Sequence, residues 1–130
     1  MSKFDASVPG AGLSTFMASG ADGSTALTNT AQAVSAGPAR IYGYWLTNVD
    51  TVANFISVYN VPAASVTVGT TPPLFQLSPG AGVSANLSLE HGIEFSRACS
   101  VAATTTAGGN SAPVAALDLV IWYAPINLLS

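Results

Sequence analysis

The apolar runs of this sequence are short, rich in β-forming residues and separated by glycine and proline. No stretch repeats its apolar residues with a helical period over three turns. After residue 37 we predict strands at 40–48, 53–60, 65–68, 74–77, 83–87, 93–95, 98–106 and 116–123. Short strands separated by turn residues are typical of two packed sheets, so the pattern favours an all-β fold, a β-sandwich of the jelly-roll kind.

The run 40–48 is the densest in β-forming residues. Strict alternation divides its side chains between two faces, Ile41, Gly43, Trp45 and Thr47 against Tyr42, Tyr44 and Leu46. Both faces are largely apolar, which is typical of a strand that is covered on both sides. The run 53–60 follows after a turn at 48–50, and we predict that the two strands form a hairpin.

The first 37 residues are rich in Gly, Ser, Ala and Thr, with Phe4, Phe16 and Met17 as the bulky landmarks besides a few aliphatic residues. Short strands are predicted at 15–18 and 31–34, with a turn between them. We therefore divide the chain into a flexible or extended N-terminal arm, 1–37, and a β-sandwich domain, 38–130. In the alternative interpretation, the first segment is fully integrated into the sandwich.

Charge is scarce in this chain. Charged residues make up 7% of it, against roughly 25% in an ordinary soluble domain. Small neutral side chains take their place, and a surface of hydroxyl and methyl groups costs less to desolvate than a surface of ions. Interface cores are depleted in charge for the same reason. We therefore expect much of the outer surface to be covered by copies of the chain or by a partner, although a low-charge β protein without such a partner is the alternative.

Several partners and compartments are disfavoured by the sequence. Lys3, Arg40 and Arg97 are the only Lys and Arg residues, too few and too scattered for nucleic acid or an anionic membrane. The most apolar stretch, 112–129, is interrupted by prolines and an aspartate, so we expect no membrane span. The start of the sequence lacks the apolar core of a signal peptide, and a lone cysteine forms no internal disulfide. We expect synthesis in a reducing cytoplasm.

Residues suited to catalysis or metal binding are few. His91 is the single histidine and Cys99 the single cysteine, too few in one chain for a blue-copper or tetrahedral zinc site. A Ser-His-Asp arrangement around His91 has no nucleophile-elbow motif to support it. We predict no enzymatic activity, no cofactor and no metal. Cys99 lies in an apolar-leaning strand, where a buried, inert thiol is expected.

Two acidic residues close to a turn need an interpretation. Glu90 and Glu94 have the composition of a glycosidase pair, but the aromatic residues that such a cleft would need fall within predicted core strands. We interpret Glu94 and Arg97 instead as an ion pair at a sheet edge or interface.

The order of several segments resembles a group of small virion proteins of tailed bacteriophages, which act as capsid decoration (cement) or fibre-base proteins. The resemblance covers roughly 38–124 and consists of the order and spacing of the segments 41–48, 55–60, 67–73, 92–96, 100–105 and 120–123. The group commonly has glycine where this sequence has Arg97. The resemblance implies a β-sandwich or jelly roll located in the virion, made in the host cytoplasm and lacking an active site.

The resemblance also implies partners. Decoration proteins of this group form homo-oligomers, often trimers, where subunits of the major capsid protein meet. An arm that reaches across a neighbour would gain affinity through backbone hydrogen bonds. Phe4, Phe16 and Met17 would then be interface anchors, because buried aromatic residues carry much of the binding energy.

Two other functions remain open at this stage. The first is a tail-fibre or baseplate module, or a carbohydrate-binding domain, in which Tyr44, Trp45 and Trp122 would be exposed and stack on sugars. The second is a hydrolase that depends on His91, which we favour least.

Overall fold

The computed structural model describes residues 13–19, 26–115 and 117–126. Its regular structure consists of eight β-strands and one short 3-10 turn, Ala63–Ser65. In chain order the strands are β1 Ser14–Ala18, β2 Gln32–Ser35, β3 Ala39–Asn48, β4 Phe55–Tyr59, β5 Phe75–Leu77, β6 Ser84–Phe95, β7 Cys99–Thr104 and β8 Leu117–Pro125.

The strands form two four-stranded antiparallel sheets, β1-β8-β3-β6 (sheet A) and β2-β7-β4-β5 (sheet B). Strand β1 pairs with β8, β2 with β7, β3 with β6 and β4 with β5, as in one long hairpin. The hairpin is rolled up so that β8 also meets β3, and β7 also meets β4. This is the jelly-roll arrangement, and it confirms the predicted all-β sandwich.

The segment predicted as an arm supplies an edge strand to each sheet. Strand β1 pairs with β8, and β2 pairs with β7. Between them, Leu27 bridges to Leu117 and is completely buried. Residues 14–18, 27 and 32–35 are therefore part of the sandwich, as in the alternative interpretation of this segment. Phe4, a predicted anchor, lies outside the described residues.

The predicted hairpin between the strands at 40–48 and 53–60 is wrong, because β3 lies in sheet A and β4 in sheet B. In a jelly roll most consecutive strands cross from one sheet to the other, so neighbours in sequence are not partners. The predicted strands at 83–87 and 93–95 are parts of the single strand β6. The strand predicted at 65–68 is absent, and a 3-10 turn that follows Pro62 occupies the adjacent positions 63–65.

A β-bulge in the middle of β3 corrects the predicted faces of that strand. Ile41 is opposite Tyr123 of β8 and Gly43 is opposite Trp122, so Tyr42 is the extra residue. Because side chains alternate with a period of two, one extra residue exchanges the faces beyond it. Leu46 therefore lies in the core with Ile41, and Trp45 points outward.

The core lies between the sheets and includes Val34, Ile41, Leu46, Ile56, Val58, Phe95, Val101, Leu117, Leu119 and Ile121. Sheet B is also covered on its outer side, because all six residues of β7 are buried. The connection from β4 to β5 provides part of this cover, and the Ser100 hydroxyl donates to the Val61 carbonyl there at 2.9 Å. Within the described ranges, no helix is long and apolar enough to span a membrane.

Candidate interaction surface

Among the described residues, the outer side of sheet A, unlike that of sheet B, is largely exposed. The strand register arranges its outward residues in rows across the four strands. We call this surface the open face; its residues are Thr15, Met17, Gly43, Trp45, Thr47, Ser84, Asn86, Ser88, Asp118, Val120 and Trp122. One central row is Met17–Val120–Trp45–Asn86, and the next is Thr15–Trp122–Gly43–Ser88.

The indole of Trp45 is the most prominent apolar group of the open face, with 53% of the residue exposed. Met17 is exposed beside Val120 in the same row. Trp122 is half-buried, because it leans over Gly43, where a Cβ atom would lie only 3.2 Å from Trp122 Cε3. A glycine inside a strand often marks such a close approach. The result is a broad apolar surface across the centre of the sheet.

The two central rows contain hydroxyl, amide and apolar side chains but no ionised group. Asp118 lies in the row that holds Thr47 and Ser84. Beyond the opposite end, Arg40 Nη2 lies 2.9 Å from Glu94 Oε1. A partner that covers the centre of the open face would therefore desolvate no charge, which removes the largest cost of burying polar surface.

The predicted pairing of Glu94 with Arg97 is replaced by a pairing of Glu94 with Arg40. Arg40 and Glu94 are directly opposite each other in the β3–β6 register, which brings their side chains together. Arg97 lies in the turn from β6 to β7, where its backbone N–H donates to Asn60 Oδ1 at 3.0 Å. Side chains directly opposite each other on paired strands are neighbours, and this pairing is not evident from the local sequence.

The predicted anchors Phe16 and Met17 lie on opposite faces of β1. Phe16 is opposite Ile121 and packs against the core, whereas Met17 is opposite Val120 and belongs to the open face. Of the three aromatic residues suggested for sugar stacking, Trp45 is exposed, Trp122 is half-buried and Tyr44 packs against the core.

No residues that suggest catalysis come together in the described part of the chain. His91 and Glu90 are highly exposed in the section of β6 that bulges away from β3. Burial raises the pKa of the Cys99 thiol to about 12, which makes a thiolate nucleophile unavailable at neutral pH. Within the described ranges, no three His, Cys, Asp or Glu residues form a group that could hold a metal ion.

A buried polar cluster at the end of β3 was not identified from the sequence. Asn48, Asp50 and Asn54 hydrogen-bond to one another and to the connection between β5 and β6. The Asn54 side-chain hydrogen bond lowers the pKa of Asp50, more than burial raises it. Two amides and an aspartate within seven residues were a visible signal, but the sequence alone placed Asn48 and Asp50 in a turn and Asn54 in the strand predicted at 53–60. The cluster links two connections, so its role is structural.

Comparison with known proteins adds little to this site. No family model and no curated protein matches the sequence. A chain from the disulfide-linked pili that form Bacillus endospore appendages is similar in structure, at 14% identity and a TM-score of 0.38, over 88% of this chain and 84% of that one. A similarity at this level carries no argument about function.

Proposed function

We propose that this protein is a non-enzymatic structural protein of a bacteriophage particle, a capsid decoration (cement) protein that binds the head through the open face. The observation that carries the proposal is the uncharged centre of that face, where Trp45 is exposed next to Met17, Val120 and Trp122. The partner would be the major capsid protein or another virion protein, and the chain would be synthesised in the host cytoplasm and located in the virion. Nucleic acid, membrane and cofactors have no part in it.

The energy available at Trp45 supports this proposal. A tryptophan side chain contributes about 150–250 Å² when it is buried, and about half of Trp45 is still exposed. At roughly 25 cal/mol per Å², covering the remainder stabilises a complex by about 3 kcal/mol. That is the size of an interface hot spot, and tryptophan is among the residues most enriched in hot spots.

The fold and the composition support the proposal more generally. Jelly rolls occur in viral capsid domains and also in lectins, so the fold alone is an argument by analogy. The low proportion of charged residues, 7%, adds a physical reason, because protein interfaces are depleted in charge at their centres. Strand β3 has apolar residues on both faces, which is typical of a strand covered on both sides. A partner that covers Trp45 would explain this pattern.

Co-sedimentation with expanded heads that lack the protein tests the proposal. We expect the wild-type chain to bind the heads and Trp45→Ala to bind about 100-fold more weakly, the equivalent of about 3 kcal/mol. Val114→Ala is the control, because Val114 is 91% exposed and lies off the open face. Failure of the wild-type chain to bind heads would refute the proposal. An equal loss of affinity for heads in both variants would show that the open face is not the binding surface.

Binding of a neutral carbohydrate is a second candidate, favoured by one observation. Trp45 lies between Asn86 and Val120 in its row, and the next row offers the hydroxyls of Thr47 and Ser84, which lie 3.2 Å apart. An aromatic ring beside amide and hydroxyl groups suits a sugar, whose C–H groups stack and whose hydroxyls bond. A blue shift of tryptophan emission on adding neutral oligosaccharides, lost in Trp45→Ala, would favour this function; no shift would exclude it for the sugars tried.

A further inference from the structure

Strand β6 forms one edge of sheet A, and no described strand pairs with the outer side of its first half. Residues 84–88 pair with β3 on one side, and the sheet order ends at β6 on the other. Proteins usually protect such an edge with lysine, proline or a covering loop, because free N–H and C=O groups invite another strand. The segment Ser84-Ala85-Asn86-Leu87-Ser88 contains no proline and no charge, and it is largely exposed.

The hydrogen bonds of the chain show which backbone groups of this segment are free. Asn48 N–H donates to the Val83 carbonyl at 2.9 Å, and the register places these two residues opposite each other. Bonded and non-bonded pairs alternate along an antiparallel ladder. Ala85 and Leu87 therefore direct their N–H and C=O groups towards β3, as Val83 does with its carbonyl, while the Val83 N–H donates to the Gly80 carbonyl at 3.2 Å. The corresponding groups of Ser84, Asn86 and Ser88 point to the free edge.

The inner side of the same segment exposes apolar surface that belongs to the core face. Leu87 is opposite Tyr44, which packs against the core, yet Leu87 is 42% exposed. The reason is a mismatch at this side of the sandwich, because β5 has three residues and β6 has twelve. An apolar cleft of about 240 Å³ remains between the sheets, and its lining includes Tyr44, Leu77, Val83 and Ala85.

We propose that β6 pairs antiparallel with β6 of a second copy of this chain, about a two-fold axis at Asn86. In this register Asn86 faces the partner's Asn86, and Ser84 faces the partner's Ser88. All three positions present free backbone groups, so the pairing forms about six new hydrogen bonds. On the inner side Leu87 faces the partner's Ala85, and each copy covers the exposed leucine of the other.

No charge repulsion opposes the pairing of residues 84–88 with the same residues of a second copy, because the segment contains no ionised residue. Glu90 is the nearest ionised residue that follows it. Around an axis at Asn86, the two copies of Glu90 lie eight positions apart along the paired strands, or about 27 Å. That distance exceeds the Debye length of about 8 Å at physiological ionic strength. Repulsion therefore does not oppose the pairing, and the inner contact is apolar.

The pairing would have a consequence for the open face. Sheet A would become one eight-stranded sheet, in the order β1-β8-β3-β6 followed by β6-β3-β8-β1 of the partner. The two Trp45 side chains would lie in one row on the same side, three strand spacings or about 14 Å apart. The two rows Met17–Val120–Trp45–Asn86 would thus form one continuous uncharged row across the eight strands. The inference goes beyond the proposed function, because the isolated chain can form this contact without a head.

Light scattering on the purified full chain tests the pairing, with Asn86→Pro as the decisive variant. Proline is tolerated at an edge position whose N–H does not bond to the neighbouring strand, so the β3 ladder stays intact while the central donor is lost. We expect wild type at twice the 13.0 kDa of the chain, Asn86→Pro at 13.0 kDa with an unchanged circular dichroism spectrum, and Asn86→Ala at the wild-type mass.

Two further measurements keep the inference falsifiable if Asn86→Pro does not fold. Leu87→Lys puts a charge on the inner side of the edge and should also give the monomer. In wild type, the amides of Ser84, Asn86 and Ser88 should exchange more slowly as concentration rises. A wild-type monomer, a trimer, an open-ended series of masses, or an oligomer that survives both variants would overturn the pairing. Head binding by a monomeric wild type would leave the proposed function intact.

Discussion

Asn48 makes the densest set of side-chain hydrogen bonds among the described residues, and its loss should be costly. Its Nδ2 group lies 3.0–3.2 Å from the carbonyl oxygens of Val52, Pro79 and Gly80, so its two hydrogens are shared among three acceptors. Its Oδ1 atom accepts from Asp50 N–H at 3.0 Å and from Asn54 Nδ2 at 3.2 Å. The side chain is completely buried and joins the end of β3 to two connections. We expect Asn48→Ala to lower the free energy of unfolding by about 4 kcal/mol.

This magnitude follows from what each partner retains after the substitution. Pro79 O still accepts from Asn54 N–H, Gly80 O still accepts from Val83 N–H, and Asn54 Nδ2 still reaches Asp50. Val52 is exposed, so water can replace its bond. These four lost bonds cost about 0.5 kcal/mol each. Asp50 N–H is buried and has no second acceptor among the described residues, and an orphaned buried donor costs about 2 kcal/mol.

Urea denaturation measures the loss. With a slope of about 2 kcal/mol per M, typical of a domain of this size, the midpoint should fall by about 2 M. Asn86→Ala is the matched control, because Asn86 is exposed on the open face, and its free energy of unfolding should stay within about 0.5 kcal/mol of wild type. If Asn48→Ala proved as mild as this control, the cluster would not hold the two connections together and the reasoning would fail.

Three further predictions concern the pH dependence of stability at Asp50, the reactivity of the Cys99 thiol and the substitution of Gly43. The pKa of Asp50 is lowered in the folded chain, chiefly by the Asn54 side chain, so its contribution to stability is present above the unfolded value of 3.8 and is lost as pH falls through the folded value. Urea midpoints from about pH 6 to about pH 2 should therefore fall more steeply for wild type than for Asp50→Asn, and parallel curves would contradict this. Cys99, buried and with its pKa raised to about 12, should react with a thiol reagent only in denaturant, and rapid reaction of the native chain would show that β7 opens readily. Gly43→Ala would place a Cβ 2.6 Å from the Leu87 carbonyl oxygen and should destabilise the chain by about 2 kcal/mol, whereas Gly37→Ala, with open space at its Cβ, should have little effect; equal midpoints for the two variants would argue against close contact at Gly43.

The positions of most strands are predictable from the sequence because they depend on local composition. Alternation and turn residues located seven of the eight strands to within a few residues, including both short strands before residue 38. Strand β6 was divided in two, because the residues around Gly92 have the composition of a turn. Gly92 does adopt a positive φ of 75°, but β6 continues through it as a bulge.

The pairing of the strands is not predictable in the same way. A short connection such as 49–54 favours a hairpin, and most neighbouring strands in sequence do pair. In this chain the connection crosses to the other sheet instead, and Asn48 and Asn54 at its two ends hydrogen-bond to the connection before β6. That signal depends on residues about 30 positions away, so it is invisible in the local pattern.

The open face shows how a local detail determines a functional conclusion. Low charge was evident from composition, but strict alternation placed Trp45 with Ile41, and Ile41 lies in the core. The extra residue at Tyr42 reverses this assignment and moves Trp45 to the outside. The same bulge brings Trp122 opposite Gly43, where the missing side chain leaves space for the indole. One inserted residue therefore creates the apolar surface on which the proposed function depends, and its removal should bury Trp45 and abolish binding through this face.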